Sequence, residues 1–339
     1  MLDDRLKRNN DEGPAGQDKC AADPTLAAII VVPDKYDTAR RTISHLRVQT
    51  VADQMEIVIV APSQPQLGLV EADLACFHSW QVVQVGKVTS IARGFVAGIR
   101  NANASIIVLT EDHSFPDAKW AELLIAAHQQ HWAVVGPSMR NCNPDTTLSW
   151  ADFYQAYGEW AYPVSSGVVR HLPGHNSSYK RDVLLEYGDR LEYIMQAESV
   201  LHRHLTAQGY EFMLESATCT SHLNFASWSS WIPARYYTGR QFAATWSLTW
   251  SGLHRLVFAV ASPLIPWIRL WRIQKQIRRR QSYGFFIRVI PVIFAGLVLE
   301  AVGQMMGYAG GAGNSIEKVA EYEFNRIKKS EPQAHEASK

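Results

Sequence analysis

The chain has 339 residues, a formal net charge of +1 and a hydrophobic content of 47%. This length fits one large domain or two modest ones, and the apolar content is sufficient for a buried core. Four widely spaced cysteines without a Cys-x-x-Cys pair argue against a structural zinc site or a small disulfide framework, and they fit a reducing compartment. Residues 1–24 are polar and lack the apolar core of a signal peptide, so we expect a disordered tail.

Strand and helix patterns alternate from residue 25 to residue 137. Buried strands are expected at residues 27–32, 56–60, 81–85, 105–109 and 133–135, the last closed by Gly136-Pro137. Amphipathic helices are expected from Tyr36 to Leu46, from Ser90 to Asn101 and from Pro116 to Ala127. This alternation predicts an α/β fold with a mostly parallel sheet flanked by helices. The absence of a Gly-x-Gly-x-x-Gly or Walker sequence disfavours a dehydrogenase or an ATPase.

The strand at residues 105–109 runs into Thr110-Glu111-Asp112-His113, and three of these side chains are able to bind a metal ion. Ligands of an open α/β sheet bind beyond the carboxyl ends of its strands, which is where these residues fall. Mg²⁺ and Mn²⁺ prefer carboxylate oxygens, and an imidazole ligand would favour Mn²⁺. The simpler alternative is a solvated turn ahead of the next helix.

Residues 138–225 are less regular and contain further polar positions. A loop rich in turn-forming residues includes Gly174-His175-Asn176. Glu198 begins a helix, where an acid is either a stabilising charge or a reactive carboxylate. A strand is expected from Tyr210 to Leu214. His222 follows in a polar loop, either as a hydrogen-bonded histidine or as a metal ligand.

Several of these segments follow the order of one family's motifs. They are Ala28–Pro33, the strand at 56–60, Ser90–Ile99, Thr110–His113, Gly174–Asn176, Ala197–Tyr210 and Thr220–His222. The order resembles an inverting family 2 glycosyltransferase of the membrane-associated type, which has the Rossmann-like GT-A fold. The resemblance covers about residues 27–225, and it rests on the order and spacing of the motifs rather than on any single one.

The resemblance implies a donor-binding half of the site. Contacts to the donor and its phosphates would come from Pro33, Arg93, Glu111 and Asp112. A Mn²⁺ or Mg²⁺ cofactor would be held by Asp112, Glu111, His113 and His222. Such a cation neutralises the negative charge that gathers on the leaving diphosphate.

The resemblance also implies an acceptor-binding half. Gly174, His175 and Asn176 would form the acceptor-side loop, and Glu198 would be the catalytic base. The implied reaction moves a sugar from a nucleotide-diphosphate donor to a hydroxyl of a saccharide or lipid-linked acceptor. Surface polysaccharide or glycolipid biosynthesis is the implied setting, and no nucleic-acid partner is expected.

The chain departs from the family's motifs at acidic positions. The family's Asp-Asp after the second strand is Ala61-Pro62, its Glu-Asp pair is Ala197-Glu198, and Thr110 stands at the first acid of Asp-x-Asp. These losses keep open a second hypothesis, a catalytically weak or inactive GT-A-fold protein that binds a glycan or acts as a scaffold. A nucleotidyltransferase is a third, although Pro33-Asp34-Lys35-Tyr36 offers no glycine-rich loop.

The C-terminal third is apolar and basic. Residues 256–268 contain Pro263 and Pro266, so we expect them to be too short and too broken to cross a bilayer, which takes about 20 helical residues. Residues 289–309 are long enough but carry Glu300 near the middle. Tryptophans and a basic run beside these segments suit the headgroup zone of a membrane.

We therefore expect the C-terminal region to dock in the bilayer interface at the cytoplasmic face of the membrane. A full span and a buried helical subdomain are the alternatives. The predicted organisation is a disordered tail at 1–24, a GT-A domain at 25–225, a helical membrane-associated region at 226–312, and an amphipathic helix with a polar tail at 313–339.

Overall fold

The computed structural model of the protein describes residues 23–278 and 281–326. The predicted disordered tail at residues 1–24 lies almost wholly outside these ranges, and so does the polar tail after the last helix. The described part is built on a nine-stranded mixed sheet with helices packed on both faces.

The strands are numbered in chain order. They are β1 (Leu26–Val31), β2 (Met55–Ala61), β3 (Ser79–Gln84), β4 (Ile106–Thr110), β5 (Ser114–Pro116), β6 (Val134–Asn141), β7 (Gly167–Val169), β8 (Ser178–Lys180) and β9 (Phe212–His222). Their order in the sheet is β3-β2-β1-β4-β8-β6-β9-β5, and β7 pairs with β9.

The helices of the sheet domain alternate with its strands. They are α1 (Asp37–Arg47), α2 (Gln64–Leu67), α3 (Ile91–Asn101), α4 (Trp120–His128), α5 (Thr147–Tyr157), α6 (Arg181–Leu185), α7 (Leu191–Ile194) and α8 (Glu198–Ala207). The helices after β9 are α9 (Trp228–Trp246), α10 (Gly252–Ala261), α11 (Ile265–Arg278), α12 (Tyr283–Gly310) and α13 (Ser315–Phe324).

The first half of the sheet is parallel and the second half is mixed. The first half consists of four parallel strands in the order β3-β2-β1-β4. They are parallel because crossover helices such as α1 and α3 return the chain to the same end of the sheet before the next strand begins. β8 is antiparallel to both β4 and β6, whereas β6 is parallel to β9. Parallel pairing is therefore continuous only across the first four strands, and it recurs between β6 and β9.

The two faces of the sheet carry separate cores. Successive strand residues point to opposite faces, so Ile29 joins the core cluster that contains Phe95 of α3. Ile30 joins the cluster that contains Ile43 of α1. All six residues of β1 are buried. Burial on both faces explains why this strand is a continuous apolar run.

Three boundaries differ from those expected from the sequence. Pro116 ends the short strand β5, and α4 begins only at Trp120. Gly136-Pro137 lies inside β6, where the register with β9 shifts between Pro137 and Ser138. A proline is tolerated at such an irregularity because no ladder hydrogen bond is needed from it. His222, expected in a loop, ends β9, because the end of this strand pairs with β5 and β6.

The prolines of the C-terminal region do not break its helices. α10 and α11 form one helical stretch of 27 residues from Gly252 to Arg278, joined by a single 3₁₀ turn. Pro263 lies in that turn and Pro266 in the first turn of α11, positions that need no helical hydrogen bond from the proline. The expectation of a short, interrupted segment was wrong. This stretch and the 28-residue α12 are both long and apolar enough to cross a membrane, by length and composition only.

α12 packs against α9 at close range. Glycines on both helices permit the approach, since a Cβ atom at Gly303 would lie 2.0 Å from the carbonyl oxygen of Tyr236. A Cβ atom at Gly239 would lie 2.2 Å from the carbonyl oxygen of Glu300. No larger side chain fits at either position without separating the helices.

Buried charges join the C-terminal helices to the sheet domain. The Arg235 guanidinium of α9 lies 3.1 Å from Asp152 of α5 and 2.9 Å from Glu300 of α12. Glu300 also pairs with Arg269 of α11, and Asp152 lies 3.6 Å from Arg326. Glu300, which the sequence placed within a possible span, is 4% exposed and faces these arginines.

We predict that Glu300→Ala lowers the free energy of unfolding by about 3–5 kcal/mol, because it removes one of the two acidic partners of the buried Arg235 and the acidic partner of Arg269. Chemical denaturation followed by circular dichroism measures this change. Glu321→Ala is the matched control, since its ion pair with Lys318 is solvent-exposed, and exposed pairs contribute about 0–1 kcal/mol. Equal effects of the two variants would contradict the prediction.

Candidate active site and metal centre

A carboxylate and two imidazoles converge at the end of the sheet. Glu111 follows β4, and His113 immediately precedes β5. β5 pairs with β9 so that Ser114 lies opposite His222, which brings the two imidazole rings within 4.9 Å of each other. The potential ligand atoms of Glu111, His113 and His222 all lie within 4.8 Å of one another. The register of the β5–β9 pair therefore brings the residues of this cluster together.

The cluster fits a divalent cation. His113 Nδ1 lies 2.7 Å from the Asp112 carboxylate, and His222 Nδ1 lies 3.0 Å from Asn224 Oδ1. Both Nε2 atoms are buried without a hydrogen-bond partner and lie 3.5 Å and 3.3 Å from the oxygens of Glu111. Metal-binding histidines typically engage one ring nitrogen in this way and present the other to the ion. A carboxylate with two imidazoles suits a transition metal such as Mn²⁺ better than Mg²⁺.

Asp112 lies behind the cluster rather than in it. Its carboxylate is buried against His113, and one of its oxygens has no hydrogen-bond partner. Burial and the neighbouring Glu111 raise the pKa of Asp112 well above its ordinary value. Asp112 was expected to be one of the metal ligands, whereas the geometry makes it the residue that orients His113.

Glu111 is held as an anion. Burial alone would raise its pKa, but the nearby His175, His113 and His222 hold the pKa of this carboxyl well below its usual range. Asn176 Nδ2 donates to Glu111 Oε2 at 2.8 Å. Asn176 has a positive φ of 67°, a conformation that asparagine tolerates better than most residues. The loop that the sequence assigned to the acceptor side thus also supports Glu111.

Glu198 and His175 form an ion pair beside the cluster. Glu198 is the first residue of α8, and its Oε1 lies 2.9 Å from His175 Nε2. Burial opposes the charge on both groups, yet each charge is stabilised by the other. The pKa of Glu198 lies below its ordinary value, and the pKa of His175 is raised to about 10. A Cβ atom at Gly174 would lie 2.5 Å from the Glu198 side chain, so this position requires glycine.

A cavity of about 540 Å³ connects these groups. Glu111 and His222 line it, and so do His175 and Glu198. The chain after β9 completes the wall of the cavity. The lining residues that the sequence analysis did not predict are Arg235, Arg269, Glu300 and Arg326 from this part of the chain, together with Gln155, Asp152 and Tyr157 of α5. For Arg235, Arg269 and Glu300, a charge within an apolar helix was the available signal, because such charges are buried only when they are paired.

Two predicted donor residues lie outside this group. Pro33 lines a separate cavity of about 390 Å³ with Lys87 and the C-terminal helix α13. Arg93 is exposed on the first turn of α3, whereas its neighbours Ile91 and Ala92 line the central cavity. The structure therefore brings together the predicted metal, loop and base residues, and it leaves Arg93 and Pro33 apart from them.

Comparison with known proteins identifies the domain. Residues 27–188, just under half of the chain, match the family model described as Glycosyl transferase family 2. The match supports a glycosyltransferase, and the sheet domain has a GT-A-type fold. No curated protein matches the chain.

Solved structures of S. aureus TarS are similar to the chain at low identity. TarS 1–349 in complex with UDP shares 12% identity, covers 80% of this chain and 89% of its own, and gives a TM-score of 0.47. A second TarS structure shares 14% identity, covers 84% of this chain and 55% of its own, and gives a TM-score of 0.42. The family assignment rests on the family model.

We predict that the cluster binds Mn²⁺ and that His222→Ala abolishes this binding, because it removes one of three ligands. Asp112→Asn should weaken binding by about 10–100-fold, the usual effect of losing a group that orients a ligand. Electron paramagnetic resonance of free Mn²⁺ measures both. His204→Ala, an exposed histidine of α8, is the control. Unchanged affinity in His222→Ala would refute the site.

Proposed function

We propose that this glycosyltransferase moves a sugar from a nucleotide-diphosphate donor to a hydroxyl of a saccharide or lipid-linked acceptor, with inversion of the anomeric configuration. The proposal is carried by one observation. Glu198 lines the same cavity as Glu111 and His222 of the cluster, so a base and a cation site face one space. Surface polysaccharide or glycolipid biosynthesis is the setting we propose.

The Glu111 cluster supports the departure of the nucleotide diphosphate. A bound Mn²⁺ or Mg²⁺ would neutralise the leaving diphosphate and act as a Lewis acid. Glu111, His113 and His222 would hold it, and the two imidazoles favour Mn²⁺. Asp112 and Asn224 fix the ring orientations of these histidines. The donor would therefore lie with its diphosphate at the carboxyl end of β4.

Glu198 supports the attack of the acceptor. Its carboxylate is ionised and so is able to take the proton of the attacking hydroxyl. His175 holds the carboxylate in place from one side and Gly174 packs against the other part of the side chain. Attack from the face opposite the leaving group gives inversion. The lost family acid at Ala197 does not remove this base, because Glu198 itself lines the cavity.

We predict that Glu198→Gln lowers sugar transfer by about 10²–10⁴-fold, because the amide cannot accept the proton. A panel of nucleotide sugars with Mn²⁺ gives the assay, and binding of the same nucleotides should stay within about twofold of wild type. Glu215→Gln is the matched control, since this half-buried acid of β9 lies away from the cavity lining. Full transfer by Glu198→Gln would rule out the assigned base. Failure of every donor with the wild type would overturn the proposed reaction.

We also propose that the protein acts at the cytoplasmic face of a membrane and lies in the bilayer interface. The α10–α11 stretch has an exposed apolar stripe with helical spacing, formed by Leu253, Leu256, Val257, Val260, Leu264, Trp267, Ile268 and Trp271. Exposed basic residues Arg272, Lys275 and Arg278 follow in the last turns. A one-sided stripe beside basic residues suits a helix lying in the headgroup zone. Ile265 and Arg269 of the same helix line the central cavity, which therefore opens beside the stripe.

We predict that the full-length protein sediments with vesicles containing anionic lipid and that Leu264→Glu with Ile268→Glu reduces this binding at least tenfold. The two charges would enter the apolar layer, while the fold stays intact because both residues are exposed. Val48→Glu is the control, since it adds a charge at an equally exposed apolar residue of the sheet domain. Vesicle binding that is absent in wild type, or unchanged in the double variant, would contradict the interface.

A further inference from the structure

The end of α13 stands between the cavities of the donor side. Phe324 lines the 390 Å³ cavity next to Pro33 and also lines a gap of about 20 Å³ next to Glu111, Asp112 and His113. Glu323 lines the same small gap and the central cavity. Phe324 and Glu323 therefore partition the space at the carboxyl ends of β1 and β4.

This partition leaves too little room for a nucleotide diphosphate to pass directly from the cavity at Pro33 to the Glu111 cluster, although Glu111 and His222 also line the separate central cavity of about 540 Å³. Pockets for ligands of that size are about 300–1,000 Å³, and the gap beside the metal cluster is about 20 Å³. A nucleotide in the cavity at Pro33 reaches the Glu111 cluster only if Phe324 moves. The Glu323 carboxylate also occupies the neighbourhood where an anionic diphosphate would lie.

A buried arginine fastens the segment in this position. Arg326 is 5% exposed, and its guanidinium lies 3.6 Å from Asp152 and 4.0 Å from the centre of the Phe225 ring. It donates to the carbonyl oxygen of Leu223 at 3.2 Å and pairs with Glu323. Arg326 therefore ties the end of the segment to α5 and to the chain after β9.

The rest of the segment packs on α9, where the Tyr322 ring stacks on Tyr237, and its polar contact with the sheet domain is weak. Its ion pair between Glu317 and Lys87 spans 3.5 Å, and both side chains are exposed. Exposed pairs contribute about 0–1 kcal/mol. Inside the site, Glu323 adds a third carboxylate near Glu111 and Asp112, an arrangement in which like charges repel. The closed position thus depends on Arg326 more than on the surface contacts.

We propose that residues 315–326 form a gate over the donor site, with Arg326 and Asp152 as its latch. The gate must open before a donor whose nucleoside lies in the cavity at Pro33 brings its diphosphate to the Glu111 cluster, and this rests on the proposed function. Asp152 also contacts Arg235, and Arg235 contacts Glu300. The latch is therefore continuous with the charges that hold the C-terminal helices, so a shift of those helices would act on the gate.

A first experiment needs no ligand. Hydrogen exchange of residues 315–326 and carbethoxylation of the buried His113 by diethyl pyrocarbonate are compared in the full-length wild type, Arg326→Gln and Lys318→Gln. The gate predicts that Arg326→Gln raises both rates about tenfold while Lys318→Gln, which removes only an exposed pair on the same helix, leaves both unchanged. Wild-type rates in Arg326→Gln would overturn the latch.

A second variant keeps the test decisive if Arg326→Gln fails to fold, as judged by its circular dichroism. Phe324→Ala removes the ring that divides the cavities and keeps the latch. It should raise carbethoxylation of His113 several-fold without changing hydrogen exchange across the sheet. An unchanged rate at His113 would show that Phe324 does not shield the cluster, and the gate would be rejected.

The ligand experiment uses inorganic pyrophosphate with Mn²⁺ as the probe. Its affinity should rise about tenfold in Arg326→Gln and Phe324→Ala, because the fraction of protein in the open state increases. In the wild type, the probe should speed hydrogen exchange of residues 315–326. Weaker binding in Arg326→Gln, or slower exchange of the segment, would show that it closes onto the ligand and would overturn the gate.

The two proposals fail in different ways. If no variant binds pyrophosphate or any nucleotide, the proposed donor chemistry fails, while the ligand-free experiment still decides whether the segment is a gate. If binding occurs at equal affinity in wild type and both variants, the donor site stands and the gate fails.

Discussion

The contact on which the rest of the structure depends is the Arg235 guanidinium between Asp152 and Glu300. It joins α9 to α5 of the sheet domain on one side and to α12 on the other. Removing these charges from water costs free energy, and their burial is tolerated only because they pair with one another. The central cavity is lined on the side of the C-terminal helices by Arg235, Glu300 and Arg269. The same ion pairs therefore hold this side of the candidate active site in place. The sheet domain and the C-terminal helices are therefore structurally coupled.

Much of the fold was predictable where local pattern and tertiary environment agree. β1 and α1 appear within one or two residues of their predicted positions, because a strand buried on both faces and a one-sided helix leave clear patterns. The mixed half of the sheet was not predictable from pattern. β5, β7 and β8 are three residues each, too short for any periodicity, and their direction is set by pairing with distant strands.

The candidate site shows the same division. The acid and imidazole after β4 were predicted from position and residue type, and the resemblance to the family gave Glu198 its role; the structure places Glu111 and Glu198 on one cavity. The sequence could not predict that Glu111 rather than Asp112 would be the carboxylate of the metal cluster. That choice depends on which side chain faces His222 across the β5–β9 pair. Arg326 was invisible to sequence reasoning for a similar reason. Nothing local marks an arginine that ends beneath Asp152, about 170 positions earlier in the chain.

The glycine contact between α9 and α12 has a mechanical consequence. A Cβ atom added at Gly303 would lie 2.0 Å from the Tyr236 carbonyl oxygen. At this point the backbones of the two helices are in direct contact, with no side chain between them. Such a pair slides or tilts as one piece. A displacement of α12 is then transmitted through Glu300 to Arg235, and hence to the wall of the cavity that Glu198 lines.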